Sequence, residues 1–136
     1  MANSYYGSPV QYYYKLFGYI NTNGQFIVPF KLAEASEFKF GYAKVFDIAF
    51  NKYCFVDASG KYLSIDASIC TPISKLFFKV SKDDKEGLIN NVGDEILPVE
   101  YDSIIQDFYG NIIAIKESDK PIKLVIDINN NILFEQ

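Results

Sequence analysis

The side chains that could do chemistry in this sequence are carboxylates, lysines, tyrosines and two cysteines, because the chain contains no histidine. Histidine is the commonest general base near neutral pH, so its absence excludes serine–histidine and cysteine–histidine nucleophilic systems. All 13 cationic residues are lysines, and the chain therefore also lacks the arginines that bind phosphates in a bidentate manner. We accordingly expect no catalytic residues, no cofactor and no metal ligands.

Paired carboxylates are the remaining route to acid–base catalysis. A carboxylate pair of the glycosidase type needs a pocket in which one acid is desolvated and its pKa is raised. The acids of this chain fall at predicted turns and strand ends, where water keeps them charged. The segments 83–86 and 127–131 also lack the alternating ligands and terminal glutamate of a calcium loop. An enzyme is therefore not expected.

The acids predict a binding surface instead, because they are concentrated in one part of a chain whose net charge is −4. Eight of them lie within residues 83–107: Asp83, Asp84, Glu86, Asp94, Glu95, Glu100, Asp102 and Asp107. On one shared surface they would attract a basic protein and repel nucleic acid and anionic membranes. The alternative interpretation is that they are solvated turn residues, since aspartate is common in turns.

Tyrosines near the start of the chain are a second candidate for binding. Successive side chains of a strand point to opposite faces, so Tyr12, Tyr13 and Tyr14 cannot all be buried on one face. Tyr12 and Tyr14 are therefore candidate anchors for a partner, since tyrosine is large, stiff and amphipathic. The alternative is that these rings pack between strands.

The elements that position these residues are predicted by a recurring octet. An apolar pair leads into Asp or Asn, then two variable residues, then Gly or Asn, in segments 18–25, 54–61, 87–94 and 124–131. This pattern is typical of a β-hairpin with a type I turn and a following bulge. Each return strand is followed by a third strand, and Pro29 and Pro98 are expected to end two of the return strands.

Two of the octets, with the residues after them, resemble the bacterial WG repeat, also called KWG. The resemblance rests on Gly18-Tyr19-Ile20-Asn21 with Ile27-Val28-Pro29, and on Gly87-Leu88-Ile89-Asn90 with Ile96-Leu97-Pro98. It extends over about residues 15–136. It implies a β-repeat scaffold that serves as an interaction module, and it brings no catalytic residues with it.

The fold class that we predict is all-β: antiparallel β-hairpin repeats, with three to four units of about three strands stacked around one continuous core. We predict one domain over residues 1–136, with units at roughly 15–49, 50–84, 85–120 and 121–136. The second and fourth units are degenerate, because Cys54 and Leu124 replace the motif glycine. Neighbouring units are expected to share their core, as in other repeat proteins.

The function predicted from these features is a non-catalytic protein-binding module that docks a cationic protein partner through the acidic surface. One alternative is a small immunity protein that neutralises a basic toxin such as a nuclease. A further alternative is binding of a carbohydrate or surface ligand through exposed tyrosines. No nucleic acid or membrane partner is expected. The cytoplasm is the expected location, with Cys54 and Cys70 as two buried free thiols, although a disulfide stays open.

Overall fold

The computed structural model describes the backbone of residues 10–12, 16–117, 122–126 and 132–135, and the side chains of residues 16–117. Within these ranges the chain forms strands and turns without any helix, which confirms the all-β prediction. The described residues therefore include no helix that is long and apolar enough to span a membrane. The chain divides into two compact units, Met1–Ser68 and Ile69–Gln136.

The first unit is a five-stranded antiparallel sheet whose strands are arranged in sequence order. Its strands are β1 Val10–Tyr12, β2 Leu16–Ile20, β3 Phe26–Ala35, β4 Tyr42–Asp47 and β5 Lys52–Asp57. Alternate residues of β4 are buried, as expected for a strand with one face on a core. The buried cluster consists of Tyr19, Val28, Leu32, Ala43, Val45, Cys54 and Val56.

The second unit contains two four-stranded antiparallel sheets, again in sequence order. One sheet is β6 Cys70–Pro72, β7 Phe77–Lys82, β8 Lys85–Asn90 and β9 Glu95–Tyr101. The other is β10 Ser103–Gln106, β11 Ile112–Lys116, β12 Ile122–Ile126 and β13 Ile132–Glu135. Both sheets contribute to one buried cluster, which consists of Phe77, Leu88, Leu97, Tyr101, Ile104, Ile112 and Ala114.

The two units have equivalent positions 69 residues apart, which is a longer period than the octets suggest. The equivalent pairs include Gly18 and Gly87, Pro29 and Pro98, and Gly41 and Gly110. The buried core positions of the two units correspond as well, but at two of them the larger and the smaller side chain are interchanged between the units. Tyr19 and Leu32 of the first cluster are replaced by Leu88 and Tyr101 in the second. The exchange keeps one large ring in each core, so the total volume changes little. The stacking of four units around one core stays a prediction.

The motif glycine of each unit lies where two strand backbones come close together. A Cβ atom on Gly18 would lie 2.6 Å from the carbonyl oxygen of Val28. A Cβ atom on Gly87 would lie 2.9 Å from the carbonyl oxygen of Leu97, at the equivalent place. Contacts this short are not tolerated, so only glycine lets these strands pair without a shift of the backbone.

The expectation that Pro29 and Pro98 end their strands was wrong. β3 continues past Pro29 to Ala35, and β9 continues past Pro98 to Tyr101. The reason is an irregularity of the strand register opposite each motif glycine, where the return strand contains extra residues. Proline has no N–H group to donate, and a bulge leaves its residues outside the ladder of hydrogen bonds.

Four turns share one set of hydrogen bonds, and they begin at Asn21, Asp57, Asn90 and Asp107. In each turn the side-chain Oδ1 atom accepts the backbone N–H groups two and four residues later, at 2.9 to 3.1 Å. The glycine three residues after the first residue donates its N–H to that residue's carbonyl and has φ between 78° and 93°. Three predicted octets thus form the expected turn, and the fourth lies largely outside the described residues.

The second octet departs from the prediction beyond its turn. The turn at Asp57 closes, but a single bridge between Val56 and Tyr62 replaces a full return strand. The returning segment still donates the N–H of Leu63 to the carbonyl oxygen of Phe55 at 2.9 Å. Cys54 and Cys70 are both buried, and no disulfide joins them.

A buried carboxylate organises the turn between β4 and β5. Asp47 is fully buried and accepts N–H groups from Ala49 at 2.9 Å and Phe50 at 3.4 Å. Its Oδ2 atom accepts the Tyr62 hydroxyl at 2.6 Å and lies 3.6 Å from Lys31 Nζ. Burial raises the pKa of Asp47, but the hydrogen bonds from Tyr62, Ala49 and Phe50 and the charge of Lys31 outweigh it and leave the pKa below its usual value.

We expect Gly18→Ala to lower the free energy of unfolding by about 1–3 kcal/mol, because the new methyl group forces the two strands apart. Urea denaturation monitored by circular dichroism measures the change. Gly24→Asn is the matched control, since Gly24 has open space around it and asparagine tolerates its positive φ. Equal losses for the two variants would contradict the close-approach explanation.

We expect Tyr62→Phe to destabilise the protein by about 1.5–3 kcal/mol at pH 7, because it removes a hydrogen bond to a buried charged group. Since the folded-state pKa of Asp47 is lowered, its contribution is present above about pH 4 and is lost as the pH falls through the folded-state value. The difference between the two proteins should therefore shrink as the pH falls through that value. Urea denaturation at several pH values tests this, and a constant difference would contradict it.

Candidate functional site

The turn between β7 and β8 holds two adjacent aspartates in an unusual backbone conformation. Lys82 pairs with Lys85, so the loop consists of Asp83 and Asp84 alone. Both have positive φ, at 51° and 63°, and both are exposed. A two-residue loop with positive φ at both positions is a type I′ turn.

The turn geometry by itself does not explain the second aspartate. Type I′ turns prefer Asn-Gly or Asp-Gly, because glycine adopts positive φ without strain. Asp84 therefore adds backbone strain, and its carboxylate repels that of Asp83. Strained backbone conformations cluster at functional sites, so this pair is the strongest candidate among the predicted acids.

The Asp83–Asp84 turn forms part of a groove of about 460 Å³ in the second unit. The groove is lined by Ser81, Lys82, Asp83, Asp84, Lys85, Glu86 and Asp102. It brings together four of the eight predicted acids. Two lysines are among them, so the groove is mixed in charge rather than uniformly negative.

Two acids of the groove are bound within the fold. Glu86 accepts the backbone N–H of Ile104 at 2.7 Å and lies 3.3 Å from Lys79 Nζ. Asp102 pairs with Lys85 and accepts the backbone N–H of Glu117 at 2.7 Å. The hydrogen bond from Lys85 is the main reason that the pKa of Asp102 lies below its usual value.

Asp83 and Asp84 differ from these, because neither lies within 4 Å of a lysine in the part of the chain that the structure describes. Glu86 and Asp102 are each paired with a lysine. Among the described residues, the charged groove residues that form no ion pair are Asp83, Asp84 and Lys82. The turn thus offers two accessible carboxylates whose hydrogen-bonding capacity is available to a partner.

The other predicted acids lie elsewhere. Asp94 and Glu95 come after the opposite end of β8, about 17 Å along the strand from the Asp83–Asp84 turn at 3.3 Å per residue. Glu100 lies 3.3 Å from Lys116 Nζ. Asp107 binds the backbone of its own turn. The eight acids therefore do not occupy one end of the sheet.

The predicted tyrosines lie outside the described side chains. Tyr12 belongs to β1, of which the structure describes only the backbone, and Tyr14 is outside the described residues. Their role as binding anchors stays a prediction.

Sequence reasoning missed two exposed aromatic residues, Phe108 and Tyr109, at the tip of the β10–β11 hairpin. Their side chains are 97% and 86% exposed. The signal that could have found them is the spacing of Asp107 and Gly110, which repeats the Asp-x-x-Gly pattern of the octets without an apolar pair directly before it. The two residues occupy the variable positions of that turn.

A second cavity, in the first unit, has a volume of about 530 Å³ and is lined in part by Cys54, Leu63 and Ile65. The Cys54 Sγ atom lies 3.8 Å from the carbonyl oxygen of Lys52. Burial raises the pKa of the Cys54 thiol, and the neutral thiol is a poor nucleophile. This cavity therefore offers no activated nucleophile among its described residues.

These features define a class: an all-β protein built from antiparallel hairpin repeats that are closed by side-chain-capped turns. Residues 17–46 and 87–120 both match the family described as WG containing repeat. Two segments of the chain are therefore similar to the WG repeat, and the resemblance noted in the sequence is confirmed. The matches cover most of the first and third predicted units. No curated protein and no solved structure matches the chain.

We expect the double variant Asp83→Asn, Asp84→Gly to raise the free energy of unfolding by about 1 kcal/mol, because it installs the preferred type I′ sequence and removes a charge repulsion. Urea denaturation measures this. Asp94→Asn, Glu95→Gln removes the same charge at the other end of β8 and should change stability by less than about 0.5 kcal/mol. A loss of stability in the first variant would show that the aspartates are structural.

Proposed function

We propose that this WG-repeat protein is a non-catalytic, cytoplasmic module that binds a cationic protein through the Asp83–Asp84 turn. The supporting observation is that the turn carries two exposed carboxylates at positions where Asn-Gly would be less strained. The two-residue loop fixes the backbone positions of both aspartates before a partner binds, which lowers the entropic cost of binding.

The chemistry of the turn favours short-range recognition of lysine or arginine. Adjacent carboxylates accept charge-assisted hydrogen bonds, and an arginine of the partner can bind one of them in a bidentate manner. The long-range field is weaker support, since Glu86, Glu100 and Asp102 each pair with a lysine. Binding should therefore depend more on the Asp83–Asp84 turn than on the total negative charge.

An immunity protein against a basic toxin is a narrower form of this proposal. It rests on the same two carboxylates and on the net charge of −4 of these 136 residues. Co-expression with the toxin would then restore growth, and the double variant at positions 83 and 84 would restore it less well. Rescue by both proteins alike would remove the turn from that role.

The test of the proposed function compares three immobilised proteins: the wild type, the variant Asp83→Asn, Asp84→Gly, and the charge-matched control Asp94→Asn, Glu95→Gln. A specific basic partner should be retained by the wild type and by the control at about 50 mM salt. The dissociation constant of the purified partner should rise at least about 10-fold for the variant, which corresponds to one charge-assisted pair.

The choice of variant matters, because Glu86 must stay in place. Neutralising Glu86 would disturb its contacts with Ile104 and Lys79, so a loss of binding could reflect a change in the fold. A partner that binds the wild type and the 83/84 variant equally at low salt would show that the turn is not the docking site.

A further inference from the structure

The tip of the β10–β11 hairpin exposes two aromatic rings where equivalent turns carry other side chains. Phe108 and Tyr109 occupy the two variable positions of the turn and are 97% and 86% exposed. The same positions in the other described turns of this type hold Thr22-Asn23, Ala58-Ser59 and Asn91-Val92. Since the turn closes without aromatic residues in those cases, its geometry does not require them here.

The tip is held rigidly by its own backbone and polar side chains. Asp107 Oδ1 accepts the N–H groups of Tyr109 and Asn111, both at 2.9 Å. Gln106 Nε2 donates to the carbonyl oxygen of Gly110 at 3.2 Å. The two rings contact each other edge to face, with centroids 5.7 Å apart. Little backbone freedom therefore remains to be lost at this turn when a partner binds.

A second observation, from the first unit, points in the same direction. Phe40 lies 69 residues before Tyr109 and likewise precedes the glycine of a tight turn, Gly41. Its side chain is 44% exposed, and its φ of 57° is a strained value for a bulky residue. An exposed aromatic ring is thus retained at the equivalent position of both units, in one case against the preference of the backbone.

We propose that the Phe108–Tyr109 tip inserts into an apolar pocket of the protein partner, and that the rim of this pocket is basic. This inference rests on the proposed function and adds the apolar anchor that the Asp83–Asp84 turn lacks. Exposed aromatic residues on a rigid loop are typical binding hot spots, since they bury a large apolar area with few rotatable bonds.

The surroundings of the tip favour a protein over a sugar or a lipid surface. The side chains of Gln106, Asp107 and Asn111 are bound within the turn, so few polar groups are available to recognise sugar hydroxyls. The rings meet at 87° and do not form a flat platform. Residues 69–136 contain 12 acids and 7 lysines, which disfavours anionic lipid and favours a basic rim.

The test begins with the photoreactive residue p-benzoylphenylalanine at position 108 of the full chain in cells, with position 92 as the matched control. Position 92 is likewise an exposed variable position of a capped turn, in the β8–β9 hairpin of the same unit. A cross-link to one protein from position 108, absent from position 92, is expected. The cross-linked peptide should contain apolar residues flanked by lysine or arginine. The absence of any adduct from position 108 would overturn the inference.

The partner identified in this way is then purified, and its dissociation constant is measured against Phe108→Ser, Tyr109→Ser. We expect a rise of at least about 30-fold, which matches the loss of one hot spot. The ratio should be the same at 0.1 and 0.5 M salt, since apolar contacts are not screened. The control Asn91→Ser, Val92→Ser should change the constant less than about 3-fold.

The outcomes separate this inference from the proposed function. If the 83/84 variant weakens binding but the 108/109 variant does not, the apolar anchor is wrong and the carboxylate site stands. If only the 108/109 variant weakens binding, the carboxylate site is wrong and the apolar anchor stands. Binding to phosphatidylcholine vesicles or to a glycan array that depends on Phe108 and Tyr109 would also overturn the choice of a protein pocket.

Discussion

The two accepted hydrogen bonds at one side-chain oxygen are the interaction on which each of the four capped turns depends. Asn21, Asp57, Asn90 and Asp107 each satisfy backbone N–H groups that the turn would otherwise leave without a protein partner. The glycine three residues later supplies the positive φ. Because the first residue and the glycine together close the turn, its geometry places little constraint on the two residues between them. The scaffold can therefore display any side chain there, including the aromatic pair at 108 and 109.

The strands that these turns connect can pair only because the motif glycine leaves room between them. Gly18 and Gly87 occupy equivalent places, and the same close approach to the return strand occurs at both. Around this constant backbone the core side chains have exchanged sizes, with Tyr19 and Leu32 in one unit and Leu88 and Tyr101 in the other. Cores tolerate such exchanges when total volume is kept, whereas backbone clearance has no such compensation.

The acids of the second unit serve two different purposes. Glu86 and Asp102 bind backbone N–H groups and lysines, so they contribute to the fold of the unit. Asp83 and Asp84 make no comparable contact among the described residues and occupy a strained turn. A count of acidic residues in the sequence does not distinguish these two groups. The contacts separate the carboxylates that stabilise the unit from those that are available to a partner, and this separation guides the choice of variants.

The sequence by itself determined the all-β class, the turns at Asn21, Asp57 and Asn90 and the WG repeats, because these depend on local hydrogen bonds, glycine conformations and alternating apolar residues. Only the tertiary structure decided that β3 continues past Pro29, that Asp47 is a buried acceptor, and that Glu86 has partners which Asp84 lacks among the described residues. It also showed that the rings at 108 and 109 are exposed. Register, burial and ion pairing arise between strands distant in sequence, and no local pattern encodes them.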